Sequence, residues 1–352
     1  VGRSLLATLL AVLLAVSATA VPARADLEEI PYVVVSGDTG HRVARRFGLR
    51  LGELAELNPD TDLDRLHPGQ RLVVGRGFRH EHRVLPGEGL AAIAARWGLD
   101  VRLLRAWNGL GAEASPDAGA TLLVFSDRDT PPSASIGAPG DGSLAHGIII
   151  PPHDAWTVRT PSRAYVTHYV AEWLVEGFEA MRARHPEALR VEIRDASRRE
   201  GGRMREHRSH QSGRDVDVAY LRRRCPDGVC GHHWTRPSEL DAAASWTLLH
   251  HWIAAGRVEY VFVDRALQAV LYDAARDAGA SRAELSAWFQ YPRGEDVRHG
   301  ILRHVPRHTD HLHVRFVCAA YDAGCLPTDG SHVDEDEGEG PLARADVPSS
   351  AP

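Results

Sequence analysis

The 352-residue chain contains no lysine; all 41 of its basic residues are arginine. Genome base composition accounts for that choice, so it carries no functional reading. A charge surplus of one sign is missing as well. The formal net charge is −6, but Asp334, Glu335, Asp336, Glu337 and Glu339 supply five of those charges in one run near the C-terminus. The remainder is close to neutral, which excludes both the basic footprint of a nucleic-acid binder and an acid-coated surface. Beyond residue 25 no apolar run is long enough to span a bilayer. Cysteine is sparse, with four residues in two close pairs, Cys225 with Cys230 and Cys318 with Cys325. Of the three possible connectivities the local one costs least loop-closure entropy. A zinc site made of all four thiolates is the competing use, and an oxidising compartment disfavours it.

What is present begins with an export signal. Arg3, the apolar stretch LLATLLAVLLAVSATA and Ala-Arg-Ala at 23–25 predict a signal peptide over 1–25, with the mature chain starting at Asp26. A retained N-terminal anchor is the alternative. The rest, 43% hydrophobic and 25% charged over the whole chain, has enough apolar material to bury a core.

An internal repeat follows at a constant offset of 50 residues. Gly37-Asp38 recurs as Gly87-Glu88, Phe47-Gly48-Leu49 as Trp97-Gly98-Leu99, Asn58 as Asn108 and Gly69 as Gly119. Each unit reads strand, helix, helix, strand. With SGDTGHRVARRFG, LNPD, HPGQRLVV and LPGEGLAAIAARWG, the units resemble the LysM domain, over 32–75 and 82–126. The resemblance implies binding to N-acetylglucosamine-containing glycan, here peptidoglycan. The first unit departs at Gly40, where the family usually has leucine, and a weaker first helix is expected there.

Residues 127–143, rich in Pro, Gly, Ser and Asp, read as a linker, and 327–352 as an acidic disordered tail. Between them, 144–326 mixes helical and alternating segments without regular β-α-β order, which predicts an α+β domain. In VTHYVAEWLVEGFEAMRARH one helical face carries Val166, Val170, Trp173, Leu174, Phe178 and Met181. LRVEIRD, RDVDVAYL, RVEYVFVD and HLHVRFVC read as strands, and Ser281 with Glu284 makes a capping box.

Two clusters stand apart from the other histidines. In EHRSHQSGRDVDVAY, His207 and His210 precede a strand whose period points Asp215 and Asp217 to one face and Val216 and Val218 into the core. In RHTDHLHVRF, His311 and His313 share a strand face. Facing one cleft, the two strands would make a nitrogen/oxygen site for a transition metal, zinc first. The pattern alone does not say which aspartate binds. His232 and His233 are read as loop decoration, with a second ion as the alternative.

SHQSGRDVD and HTDHLHVRF resemble the penicillin-insensitive murein endopeptidases, within the LAS group of zinc peptidases that also holds D-Ala-D-Ala carboxypeptidases. The resemblance implies an antiparallel sheet with flanking helices, Zn2+ held by His210, Asp217 and His313, and catalytic roles for His311 and His308. His207 corresponds to an outer position or a second metal, and Asp215 is read as orienting a histidine N–H. The Cys318/Cys325 spacing matches a family disulfide. Asp310 immediately precedes His311 and is expected on the opposite strand face, leaving no acid base, which favours an endopeptidase. WFQ at 288–290 is separated from the histidine cluster by YPRGEDVRHGILRHVPR, a departure from the family pattern. Arg214 and Arg198/Arg199 are surface arginines by default and stem-peptide contacts by alternative.

The expected protein is an exported, most simply periplasmic, zinc peptidase that cuts D-alanyl cross-links, of D-Ala–diaminopimelate type, between peptidoglycan stem peptides. Its LysM units would hold the glycan, and it would carry no transmembrane segment after signal cleavage. A D,D-carboxypeptidase on pentapeptide and a non-catalytic wall-binding protein with a structural metal are the alternatives.

Overall fold

The computed structural model describes residues 27–328. The expected signal peptide, and the expected tail from residue 329 onward, lie outside them.

The two repeats are joined without a linker, because one long strand serves both. Arg71–Arg83 closes the first unit and opens the second, pairing antiparallel with Glu28–Val33 on one stretch and with Thr121–Ser126 on the other. In each unit two short helices cover this sheet, Gly40–Arg46 and Leu51–Leu57 in the first, Leu90–Trp97 and Val101–Trp107 in the second. The expected βααβ order is therefore present, folded around a shared ribbon. Phe125 and Trp107, from the second unit, pack into the core of the first, their rings edge to face with centroids 5.5 Å apart. Gly40 does not stop its helix, since Thr39 caps it by accepting from the Arg42 N–H. The glycine answers a space constraint: a Cβ there would lie 2.8 Å from the Leu63 carbonyl oxygen.

Part of the expected linker is ordered. Ala134–Ala138 and Asp141–Ala145 form a hairpin, and Gly137 accepts from and donates to the Cys325 region through Leu326 and Gly324. Cys318–Cys325 and Cys225–Cys230 are both disulfide-bonded.

The larger region is α+β. Its main sheet contains seven strands; along the main path they run Val229–Cys230, Arg190–Ile193, Asp215–Ala219, His311–Phe316, Val258–Phe262 and Leu302–Arg303, with Trp156–Val158 paired beside Arg190–Ile193. Asp215–Ala219 and His311–Phe316 lie at the centre and pair antiparallel. Their inward Val216, Val218, Leu312, Val314 and Phe316 are buried against the helices His168–Arg184 and Ala242–Ala254. These helices approach closely: a Cβ on Gly177 would lie 2.2 Å from the Trp252 ring, whose Nε1 donates to the Trp173 carbonyl at 2.7 Å. Ser281 and Glu284 form the predicted capping box.

The extra segment before the histidine cluster adds an edge. It folds around the buried Gln290, whose Nε2 donates to the carbonyls of Glu295 and Val297 while its Oε1 accepts from the His304 N–H. It then contributes Leu302–Arg303 as the outermost strand of the sheet. Arg214 is fully buried, and neither default nor alternative holds for it. Its guanidinium binds Glu259 and the carbonyls of Phe316 and Leu326, tying the last strand and chain segment together.

Candidate metal centre

Antiparallel register sets Asp217 directly opposite His313 and Ala219 opposite His311. His210 comes from the loop before the strand, and its backbone is held with φ at 64°, in the left-handed region. A non-glycine residue there costs about 1–3 kcal/mol and persists only where its surroundings fix it. Here Ser197 fixes it, its Oγ donating to the His210 carbonyl at 2.6 Å and accepting from the Gly213 N–H at 3.0 Å.

The three side chains meet at one point. His210 Nε2 lies 3.2 Å from His313 Nδ1, and Asp217 Oδ1 lies 3.3 Å from each. None of the three residues is more than 2% exposed. Their outer atoms decide the tautomers. His210 Nδ1 faces the Ala196 carbonyl at 2.7 Å, and a carbonyl only accepts, so that nitrogen carries the proton. His313 Nε2 faces the Asp215 carboxylate at 2.8 Å and is protonated for the same reason. The inner nitrogens are therefore bare lone pairs, and Asp217 Oδ1 has no hydrogen-bond donor among the described residues. Three buried acceptors turned on one another without a proton between them repel unless a cation sits among them. An ion bonded at 2.0–2.2 Å to tetrahedral ligands separates them by about 3.3–3.5 Å, the spacing seen here. The residues fit a metal.

Asp215 is buried, which would raise its pKa. Arg315, 2.7 Å away, and the His313 ring outweigh burial and hold the carboxyl well below the ordinary range. Burial likewise acts to raise Asp217, and the surrounding imidazoles of His210 and His311 reverse that, so it too stays ionised.

His207 sits beside the triangle with its Nδ1 4.0 Å from Asp217 Oδ2, but its Nε2 bonds Asp195 at 3.0 Å. Burial lowers its pKa, and the Asp195 bond together with the charges of Asp217 and Asp195 more than compensates, leaving it raised. Asp195 was not singled out from the sequence; it ends a predicted strand, and only the fold brings it to His207.

His311 and His308 stand on the open side, with ring centroids 4.8 Å apart. His311 Nε2 points at Asp217, 3.7 Å from its Oδ1. Its Nδ1 faces Asp310 Oδ1 at 2.7 Å, which corrects the expected opposite-face placement. The strand starts only at His311, so alternation does not govern residue 310 and its side chain turns back. Burial lowers the His311 pKa, while Asp217 and Asp310 raise it further, with a net upward shift. His232, read as loop decoration, stacks on His311 at 5.3 Å and 17°. Burial first, and the neighbouring His311, push its pKa down to about 4, so it is neutral near pH 7. Arg198 and Arg199 make no contact with these groups among the described residues.

The family model described as penicillin-insensitive murein endopeptidase matches residues 135–343, more than half of the chain, and LysM models match 32–75 and 82–125. Membrane-bound lytic murein transglycosylase D of Escherichia coli K12 is 32% identical over 120 residues, 31% of this chain and 26% of that protein. Cell wall-binding protein YocH of Bacillus subtilis is 32% identical over 113 residues, 31% of this chain and 38% of that one. The chain thus spans well under half the length of these relatives. A crystal structure of the Bacillus megaterium spore cortex-lytic enzyme SleL aligns over 71% of this chain and 48% of its own, at 10% identity and a TM-score of 0.17, too low to carry an argument. Among the described residues no helix is long and apolar enough to cross a membrane. The chain carries two LysM domains, and it belongs to the penicillin-insensitive murein endopeptidase family.

Proposed function

We propose that this is an exported, periplasmic zinc D,D-endopeptidase that hydrolyses D-Ala–diaminopimelate-type cross-links between stem peptides. The LysM units would hold it on the glycan. The observation that carries the zinc assignment is the convergence of three proton-free, buried donor atoms from His210, Asp217 and His313 at 3.2–3.3 Å. Zinc bound there supplies Lewis acidity, making a water nucleophilic near neutral pH and polarising the scissile carbonyl.

The chain's own groups do the rest. Ala196 and Asp215 fix the inner nitrogens of His210 and His313 as acceptors. Asp310 accepts the Nδ1–H of His311 and leaves its Nε2 lone pair turned toward the centre, where it takes a proton from water and returns it to the leaving amine. The Asp310 carboxylate beside Nδ1 favours the protonated ring, which strengthens Nε2 as an acceptor. His308, buried beside it, stabilises the developing oxyanion or shares the proton return. His207, drawn out by Asp195, is an outer group.

The test is chromatography of purified muropeptides before and after digestion. Cross-linked dimers are expected to fall to monomers, and 1,10-phenanthroline or His210→Ala to stop this, a rate loss of about a thousandfold or more. Loss of terminal D-Ala with dimers intact would replace the reading by a carboxypeptidase. Dimer cleavage by metal-free protein would end the zinc assignment.

A further inference from the structure

A second set of donors lies just outside the triangle. His232, Asp310 and His311 each present one donor atom within 4.8 Å of the others. The loop that carries His232 is tied to the histidine segment, since the Thr235 N–H donates to the Thr309 carbonyl at 2.8 Å. His232 is nine-tenths buried, and its Nε2 faces the Glu192 carbonyl at 3.2 Å. A carbonyl only accepts, so the ring proton is on Nε2 and Nδ1 is a bare lone pair. That Nδ1 is buried with no hydrogen-bond partner among the described residues. A buried, neutral, unsatisfied imidazole nitrogen beside a carboxylate and a second imidazole is the donor set of a borderline divalent ion. Ligand atoms around such an ion lie roughly 3–4 Å apart, so small ring rotations close the set.

We propose that His232, Asp310 and His311 form a second, weaker divalent-cation site, and that filling it with zinc switches the enzyme off. The inhibition rests on the reading of His311 as the proton acceptor; the binding does not. Weaker binding follows from the proton and the solvent that the ion must displace. His311 Nδ1 is already satisfied by Asp310 at 2.7 Å, and the side chains of these two are 17% and 29% exposed, against at most 3% in the triangle. The change on binding is a tautomer shift. The ion takes the Nδ1 lone pair, and the single proton of neutral His311 moves to Nε2. If the ring starts doubly protonated, one proton goes to solvent. Either way the metal-bound ring keeps its one proton on Nε2, which then cannot accept.

Zinc chloride, and in parallel cobalt(II) chloride, is titrated into metal-stripped full-length protein. Bound metal is read by equilibrium dialysis, cobalt geometry by visible absorption, and activity on cross-linked muropeptide dimers in the same samples. The expected result is two bound equivalents, with activity rising over the first and falling at least tenfold over the second. His232→Gln should bind one equivalent, keep the one-equivalent activity and lose the inhibition; Asp310→Asn, read by binding alone, should also lose the second equivalent. One equivalent in the wild type, or a second one that survives both substitutions, overturns the site. Two equivalents lost by both variants but without a fall in activity overturns the switch and keeps the site. A protein inactive with one equivalent yet binding the second as described speaks against the proposed hydrolysis instead, so the two failures are separable.

Discussion

The two LysM units use the same positions for opposite ends. At matching places, 50 residues apart, stand Tyr32, Asp38 and Arg46 in the first and His82, Glu88 and Arg96 in the second. In the first unit the triad closes on itself: the Tyr32 hydroxyl and Arg46 both bond Asp38, and the Arg46 side chain is 37% exposed. In the second, His82 bonds Glu88 at 2.8 Å, and Arg96 lies 3.2 Å from Glu88 and 3.1 Å from Asp322 of the peptidase region. That arginine is 6% exposed, and Asp322 also accepts from the Ser135 N–H and the Tyr169 hydroxyl. One triad trims a surface; the other is the buried joint between the second unit and the α+β region. What differs is the neighbour, not the repeat.

The largest effect should come from Arg96→Ala. It leaves Glu88 and Asp322 as buried charges without their shared cation, and removing one partner of such a set costs about 3–5 kcal/mol. Calorimetric unfolding should show this as a loss of stability, or as the second unit melting apart from the peptidase region. A shift within the scatter of surface mutants would mean the joint carries no load. Acid sharpens the same point. Burial acts to raise Glu88, but the His82 bond, the Leu85 N–H and Arg96 leave its pKa below 4.5. A depressed carboxyl gives stability above its unfolded pKa and loses it as pH falls through the folded value. Burial raises Asp322 above 3.8 in spite of Ser135 and Arg96, and a raised carboxyl does the reverse, gaining stability as pH falls. The two oppose each other in the intact joint. Asp322→Asn should therefore steepen the decline of Tm below pH 4.5, and an unchanged slope would contradict the assignment.

Next come the positions where the units agree. Asn58 donates to the Leu54 and Val73 carbonyls and accepts from the Val73 N–H, at 2.7–2.8 Å. Asn108 repeats this with Leu104 and Leu123 at 2.7–2.9 Å. Alanine at either site strands the same three backbone groups and should cost about 1–3 kcal/mol. Similar losses for the two variants in denaturant unfolding would support a common grammar, and a large inequality would break it.

The repeat was legible because its constraints are local: a turn glycine, a helix stripe and an asparagine that pins a strand all recur at fixed offset. Much of the peptidase core was legible for the same reason, as the buried face of His168–Arg184 and the core-directed Val216 and Val218 show. The candidate metal centre was half legible. Strand period put Asp217 and His313 on usable faces, but register decides that they oppose each other, and nothing in a single strand reports register. Ala196 contributes a backbone carbonyl and Asp195 an end-of-strand carboxylate, so neither leaves a trace in side-chain pattern. Alternation misplaced Asp310 because it was applied one residue beyond the strand. Gly40 looked like a weak helix start, whereas its cause is Leu63, a contact made by the loop that follows the helix pair.

The smallest effect completes the comparison. Arg46→Ala removes the residue that matches Arg96, yet its guanidinium is a third exposed and its partner keeps other donors. The Val35 N–H still bonds Asp38 at 3.0 Å. The Tyr32 hydroxyl, pushed up to about 12 chiefly by burial and then by its bond to Asp38, stays protonated and goes on donating. An ion pair whose cation is this exposed is worth about 0–1 kcal/mol and is screened by salt. The Arg46→Ala variant should therefore unfold close to the wild type in moderate salt, several-fold nearer to it than Arg96→Ala. Equal losses would mean that Arg46, too, holds a buried joint, and the distinction between the units would fail.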